Sequence, residues 1–363
     1  MNRHNPWDLK QMQSLPLEAK CFMTERRIEQ WYDHWDGNVY VSFSGGKDST
    51  VLADLVARFC QKYRWKMYLL FVNTGLEYPE IQKFVKIFAD WLRNTYAIDV
   101  QLDIVRPEMR FDEVIKNYGY PVISKEVSEV IYSVRNGKPG KTQTSRAMRL
   151  NGDLMDKDGN KSRFNCDKWK FMLDAPFDVH NACCAVMKKK PAKKYAKETG
   201  RKPIIGTMAS ESKLRYQQWI KNGCNAFHSK TPTSTPMAFW TEQDVYHYIK
   251  KYNIPYCSVY GEIRVKLQED AADGQINIID YLGCYEQEDI LETTGCDRTG
   301  CIFCMFGCHL EKAPNRFQRL KATHPRQYEY CIGGGEMVDG KWQPSKEGLG
   351  LGKVLDYIGV KYD

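Results

Sequence analysis

Ser44-Gly45-Gly46-Lys47-Asp48-Ser49 is the stretch whose reading decides the fold. It follows the alternating apolar run Asn38-Val39-Tyr40-Val41-Ser42-Phe43 and leads into the helical pattern Val51-Leu52-Ala53-Asp54-Leu55-Val56-Ala57. A strand, a glycine-rich turn and a helix start, in that order, build a cradle for an anion. The glycines let backbone approach a phosphate, and the free N–H groups at the helix start point at it. Lys47 adds a point charge and Ser49 a hydroxyl. The spacing is neither G-x-x-x-x-G-K-[ST] nor G-x-G-x-x-G.

Working outward, strands are expected near 38–44, 67–72 and 98–105, with helical stretches at 49–63 and 79–95 between them. That alternation predicts an α/β fold, a parallel sheet with helices on both faces. The loop then lies at the carboxyl end of the first strand, where such sheets bind ligands. Pro203-Ile204-Ile205-Gly206-Thr207-Met208 reads as a further strand. Residues 1–36 read as an N-terminal helical segment and 37–257 as the nucleotide-binding domain. Within that domain, 120–180 reads as an irregular, mobile insertion. Residues 258–363 form a Cys-rich, basic C-terminal region.

The chain has 363 residues, 42% apolar and 27% charged, as in a soluble globular protein. It has no apolar run of about 18 residues, so no membrane span is expected. The first residues, Met1-Asn2-Arg3-His4-Asn5-Pro6-Trp7-Asp8, lack a secretory signal, so a cytoplasmic location is expected. In that compartment thirteen cysteines point to metal binding or catalysis rather than disulfides. The formal charge is +8. Basic residues concentrate at Lys188-Lys189-Lys190, Lys193, Lys194, Lys197, Arg201 and Lys202, and again over Asn315–Lys321. Either stretch alone fits a solvated helix face; together they suit a polyanionic partner, DNA or RNA.

Several separated motifs carry a family resemblance over roughly residues 36 to 310. The Ser44–Ser49 loop is similar to the SGGxDS loop of the PP-loop ATP pyrophosphatases. Val72-Asn73-Thr74-Gly75-Leu76-Glu77-Tyr78-Pro79-Glu80 resembles the strand-end segment of the PAPS reductase branch of that superfamily, and Trp240-Thr241-Glu242-Gln243-Asp244-Val245 resembles its W-T-x-x-D-V helix. The resemblance implies an adenine nucleotide alpha hydrolase-like fold that cuts ATP to AMP and pyrophosphate. It implies that Ser44, Gly45, Gly46, Lys47 and Ser49 hold pyrophosphate, with Lys47, Asp48 and Ser49 the catalytic residues. Asp48 would orient the loop or Mg²⁺, and Thr74 and Gly75 would line the adenosine side. Arg215 and Lys125 are weaker candidates for phosphate contacts.

Cys296-Asp297-Arg298-Thr299-Gly300-Cys301-Ile302-Phe303-Cys304-Met305-Phe306-Gly307-Cys308-His309 is the densest chemical signal after the loop. Two cysteines at C-x-x-C spacing can chelate one centre. The pair Cys183-Cys184 with Cys301 and Cys304 is similar to the arrangement that holds a [4Fe–4S] cluster in APS reductases. A local Zn²⁺ knuckle from Cys296, Cys301, Cys304 and Cys308, with or without His309, and unligated thiols are the competing readings.

The family's sulfonucleotide reductases carry a C-terminal nucleophilic cysteine motif. This chain ends Ile358-Gly359-Val360-Lys361-Tyr362-Asp363 without it, and Cys331 matches it poorly. The intact loop favours the sulfur-inserting members, the DNA phosphorothioation sulfurtransferases and tRNA thiolases. In these an adenylated acceptor is attacked by sulfur that a donor such as a cysteine desulfurase supplies. An APS or PAPS reductase and a non-catalytic nucleotide-binding subunit of a defence or regulatory complex are the alternatives.

Overall fold

The computed structural model describes residues 4–266 and 289–363. Part of the Cys-rich region, residues 267–288, and the first three residues of the N-terminal segment lie outside the described residues. Contacts divide the chain into two compact units, which cut across the sequence boundaries at 36 and 257. The first comprises residues 1–72, 78–105 and 194–299; the second comprises 73–77, 106–193 and 300–363.

The first unit is built on six strands: β1 (Val39–Ser42), β2 (Met67–Val72), β3 (Val100–Val105), β4 (Lys202–Ile205), β5 (Asn225–Ala226) and β6 (Thr233–Ser234). Their order is β3-β2-β1-β4-β6-β5. All neighbours run parallel except the β5–β6 pair, which is antiparallel. Ser42 stands opposite Leu70 of β2 on one side and Ile205 of β4 on the other. The order reverses at β1, so the crevice beyond its carboxyl end is a topological switch point. The expected strands and the parallel α/β class are therefore present, with helices around the sheet.

Four helices of this unit matter for the site: α1 (Pro6–Gln13), α2 (Leu17–His34), α3 (Lys47–Tyr63) and α4 (Pro79–Tyr96). In α4 the buried residues Ile81, Phe84, Val85, Phe88, Ala89 and Leu92 repeat at helical spacing, which gives one apolar face. Pro79 starts α4, where its missing N–H costs nothing. Val51, Leu52, Val56 and Phe59 of α3 lie fully buried, so the helix behind the loop is held in the core.

Between α3 and its neighbours sits a buried polar knot. Asp54 accepts hydrogen bonds from Tyr96 (2.5 Å), Tyr248 (2.6 Å) and Arg58 (2.8 Å). A second buried pair joins α2 to the helix Glu242–Tyr252: Lys20 Nζ lies 2.7 and 2.8 Å from the two Asp244 carboxylate oxygens. Asp244 also closes the capping box of that helix with Thr241.

The second unit corrects the expectation of an irregular insertion at 120–180. It holds helices Lys125–Asn136 and Lys141–Asn151 and a 3₁₀ segment, Asp167–Asp174. The polar sequence hides them because they bury few residues; only Arg149 and Leu150 of Lys141–Asn151 are buried. Arg149 ties the pieces together by donating to the Phe164 carbonyl and to Glu126. Among the described residues, no helix is long and apolar enough to cross a membrane.

Candidate functional site

The loop leaves β1 at Ser42 and enters α3 at Lys47, with Gly46 as its N-cap. Gly45 has φ +74°, a conformation that L side chains rarely adopt. A Cβ there would also stand 3.0 Å from Ile81 and from Val85. Ser44 and Ser49 close the turn, their hydroxyls 3.1 Å apart, and Ser44 Oγ accepts from the Gly46 N–H at 3.3 Å. The six loop residues are thus held as one cradle.

Lys47 does not sit as an exposed loop lysine. It is 3% exposed, and its Nζ donates to the Asp297 carbonyl at 2.8 Å and pairs with Glu242 at 2.9 Å. The rings of Tyr246 and Tyr260 flank it, each with its centroid 5.5 Å away. The Tyr260 hydroxyl accepts from the Lys47 N–H at 3.1 Å and pairs with Thr299 at 2.7 Å. A Cβ on Gly46 would meet Thr299 Oγ1 at 3.0 Å, so the segment Asp297–Thr299 lies against the loop.

Asp48 is half-buried, and its Oδ1 is a buried oxygen with no partner. Burial raises its pKa; Lys47, Arg298 and Arg215 pull it back down, and Glu242 pushes it up. An orphaned carboxylate oxygen beside a phosphate cradle fits a hard cation such as Mg²⁺. Arg215 acts on Asp48 from its own helix: Ser212 caps that helix, Glu211 pairs with Arg215, and burial beside Arg298 lowers its pKa. Glu242, Tyr260, Arg298 and Thr299 escape the sequence reading. Arg298 and Thr299 are hidden inside the cysteine stretch and Glu242 inside the helix motif. Gly206, at the end of β4, would drive a Cβ to 2.9 Å from the Asp48 carbonyl. Gly206→Ala is expected to displace the loop at a cost of about 1–3 kcal/mol, read as weaker ATP binding by calorimetry.

The second unit carries the cysteines. Thr74 and Gly75 belong to it. The Thr74 hydroxyl donates to Glu77 at 2.7 Å, and the Leu76 carbonyl accepts from Ile302 N–H at 2.8 Å. That bond ties this segment to the C-x-x-C turn. Val122–Ile123 pairs in parallel with Met305–Phe306, which docks the turn from the other side. Ile123 holds φ +62°, a conformation that costs a β-branched residue roughly 1–3 kcal/mol. The pairing holds that strain and sets Lys125, just beyond it, toward the thiols. There Lys125 acts on Cys184 by charge and hydrogen bond.

Cys183 and Cys184 bring their sulfurs to 3.9 Å and share a proton. The hydrogen bond from Cys183, then the charges of Lys125 and Lys188, favour Cys184 as the thiolate; the same bond and burial hold the proton on Cys183. Cys301 and Cys304 act electrostatically on this pair, and burial pushes the Cys301 thiol up to about 11. A π-helical turn, Ala185–Lys189, follows the pair and carries Lys188 with it. Lys188 is not part of the basic surface stretch. Burial opposes its charge, but Cys301, Glu77 and Cys184 outweigh that and raise its pKa.

The four cysteines of the cluster reading thus lie within one another's electrostatic reach, with Lys125, Lys188 and Arg316 as nearby cations. An all-thiolate donor set facing cations fits a negatively charged [4Fe–4S](Cys)₄ group. Three residues of the zinc-knuckle reading have other partners. Cys308 donates to the Met305 carbonyl at 3.0 Å, Cys296 lies 3.6 Å from the Tyr78 hydroxyl, and the His309 ring packs on Trp169. Zn–S bonds of about 2.3 Å need sulfurs drawn together on one ion. Among the described residues no three or more His, Cys, Asp or Glu side chains stand as a ready-made metal site, and this holds for the four cluster cysteines as it does for the knuckle.

The family model of the phosphoadenosine phosphosulfate reductase domain matches residues 38–133 and 143–305. The chain belongs to the PAPS reductase domain family. The match spans β1, the loop, β2 and both cysteine pairs, so the loop and the cysteine group each lie inside the family region. Comparison with curated protein sequences returns no match. Among solved structures, the chain is similar to the U34-tRNA thiolase NcsA from Methanococcus maripaludis with its [4Fe-4S] cluster. The identity is 14%, the TM-score 0.33, and the alignment covers 66% of this chain and 66% of that one.

Proposed function

We propose that this PAPS reductase family member is an ATP pyrophosphatase that adenylates an acceptor for sulfur transfer, with a nucleic acid as the acceptor. The observation that carries the reading is the intact loop at the switch point, with Lys47, Arg215 and Arg298 around the half-buried Asp48. A triphosphate needs such a cradle to orient its leaving group. An acceptor oxygen attacks the α-phosphorus, the bond to the β-phosphate oxygen breaks, and pyrophosphate leaves into the cradle with Mg²⁺. A sulfur nucleophile then displaces AMP, forming the carbon–sulfur or phosphorus–sulfur bond. A cysteine desulfurase would supply that sulfur. Cys183, Cys184, Cys301 and Cys304 would hold a [4Fe–4S] cluster, which when bound supplies redox or sulfur-binding capacity. Lys125 and Lys188 offset the thiolate charge.

The family's own description supports a second reading, reduction of a sulfonucleotide. That chemistry needs an accessible nucleophilic thiol. Cys331 is fully buried and its thiol is pushed well above the ordinary value by burial, which weighs against it in that role.

Product analysis with Mg²⁺ and a mixed nucleic-acid acceptor should show AMP and pyrophosphate. ADP and phosphate would overturn the assignment, and binding of ATP without turnover would point to a non-catalytic subunit. Consumption of PAPS or APS with no need for ATP would establish the reductase. Lys47→Ala should slow turnover by about 30- to 1000-fold, the cost of a charge contact made mainly in the transition state, on the order of 2–4 kcal/mol. Its structural cost should be smaller, because Glu242, the partner left behind, is 45% exposed.

A further inference from the structure

The second unit carries an aromatic strip that neither the loop nor the cysteine group uses. The 3₁₀ segment Asp167–Asp174 presents Trp169 and Phe171, with ring centroids 6.0 Å apart. Phe171 continues to Tyr357 at 5.6 Å, and Trp169 to His309 at 5.1 Å. Tyr357 fixes the strip by donating to the Phe171 carbonyl. A satellite core would bury these rings, yet Phe171 is 41% exposed and Trp169 is only partly covered. Lys168 and Lys170 flank them, both exposed, and Lys168 Nζ lies 5.1 Å from the Trp169 ring centre.

The strip begins beside the cysteines. His309 follows Cys308, whose thiol lies in the field of Cys304. Its charge is one-sided: Lys161-Ser162-Arg163-Phe164-Asn165-Cys166-Asp167-Lys168-Trp169-Lys170-Phe171 holds four cations and one acid, a net of +3. Partly exposed rings between cations suit unstacked bases joined by phosphates. A duplex hides its base faces and cannot use them.

We infer that Trp169, Phe171, Tyr357 and His309, with Lys168 and Lys170, form a stacking platform for a single-stranded nucleic acid at the edge of the cysteine group. This rests on the sulfur-transfer reading and names its substrate class: a loop or single strand rather than a paired duplex. Stacking supplies sequence-tolerant grip, and the lysines meet the backbone as point charges.

The test is fluorescence anisotropy of the full chain, purified without oxygen, against labelled single-stranded RNA, single-stranded DNA of the same sequence, and the matched duplexes. Single strands should bind tighter than duplexes, and the RNA and DNA arms separate the two sources of the strand. Trp169→Ala with Phe171→Ala should weaken binding by about 10- to 100-fold, from stacking losses per base. Lys168→Gln with Lys170→Gln should flatten the slope of log K against log salt by about 0.7 for each phosphate no longer neutralised. Phe171→Leu keeps apolar packing against Tyr357 but loses the ring face, so it guards against a merely unfolded double variant. Unchanged iron content and melting temperature show that the cysteine group and the fold survive. Equal duplex binding, full affinity in Phe171→Leu and the double alanine variant, or self-association through these rings would overturn the proposal. Release of AMP and pyrophosphate that persists in that case would leave the pyrophosphatase reading standing.

Discussion

Replacing Cys304 by Ser should strip the chain of its iron. Protein made without oxygen is expected to be brown and to hold about four irons per chain, the content of a Cys₄ cubane. Cys183→Ser should have the same effect, although it lies far from Cys304 in sequence, because the structure sets both in one group with Cys184 and Cys301. A hydroxyl is a poor, hard ligand for iron where a thiolate is soft, so one such change is enough to lose the group. Cys21→Ser is the control. Cys21 belongs to α2 in the first unit, and the charged groups that act on its thiol are Glu18, Lys251, Arg58 and Asp244 rather than another cysteine, so the colour should remain. Iron analysis and the visible spectrum read the result. Colourless protein with one stoichiometric zinc, retained in Cys183→Ser, would overturn the cluster and restore the knuckle.

The legible parts of this chain are those set by short-range patterns. The alternation Val39–Ser42, the two glycines and the helical run after them specify strand, turn and helix without outside help, and β1 and α3 form there. The cysteine pairs are legible because their residue type is rare and their spacing tight. What the sequence hides is long-range. Glu242 and Asp297 reach Lys47 across about two hundred residues or more of chain. They bury a lysine that the loop sequence alone leaves unplaced. Lys125 reads only as a candidate phosphate contact, and its setting beside Cys184 comes from the strained Ile123 and its pairing with Phe306. Helix Lys141–Asn151 has no apolar stripe, so periodicity is silent; its position comes from Arg149 and the carbonyl and carboxylate that this residue finds.

Asp54→Ala should be among the most damaging single substitutions in the first unit, at about 3–5 kcal/mol. Asp54 is fully buried in α3, behind the loop that the helix carries. Its carboxylate gathers Tyr96 from α4, Tyr248 from the helix Glu242–Tyr252, and Arg58 one turn along. The alanine variant removes one acceptor and leaves two hydroxyls without theirs, in a site where water cannot replace it. Arg58 loses less, because it is 40% exposed and stacks over the Tyr252 ring at 4.4 Å. Tyr248→Phe should cost less than Asp54→Ala, about 1.5–3 kcal/mol for one hydrogen bond to a charged group. The same helix that supplies Tyr248 begins at Glu242, the partner of Lys47, so loosening the knot also loosens the lysine's setting. Urea unfolding should therefore show a lowered midpoint for both variants, and pyrophosphate release measured well below that midpoint should fall in Asp54→Ala. A midpoint within experimental error of the parent chain would mean that the knot is solvated and that α3 is held by its apolar face alone.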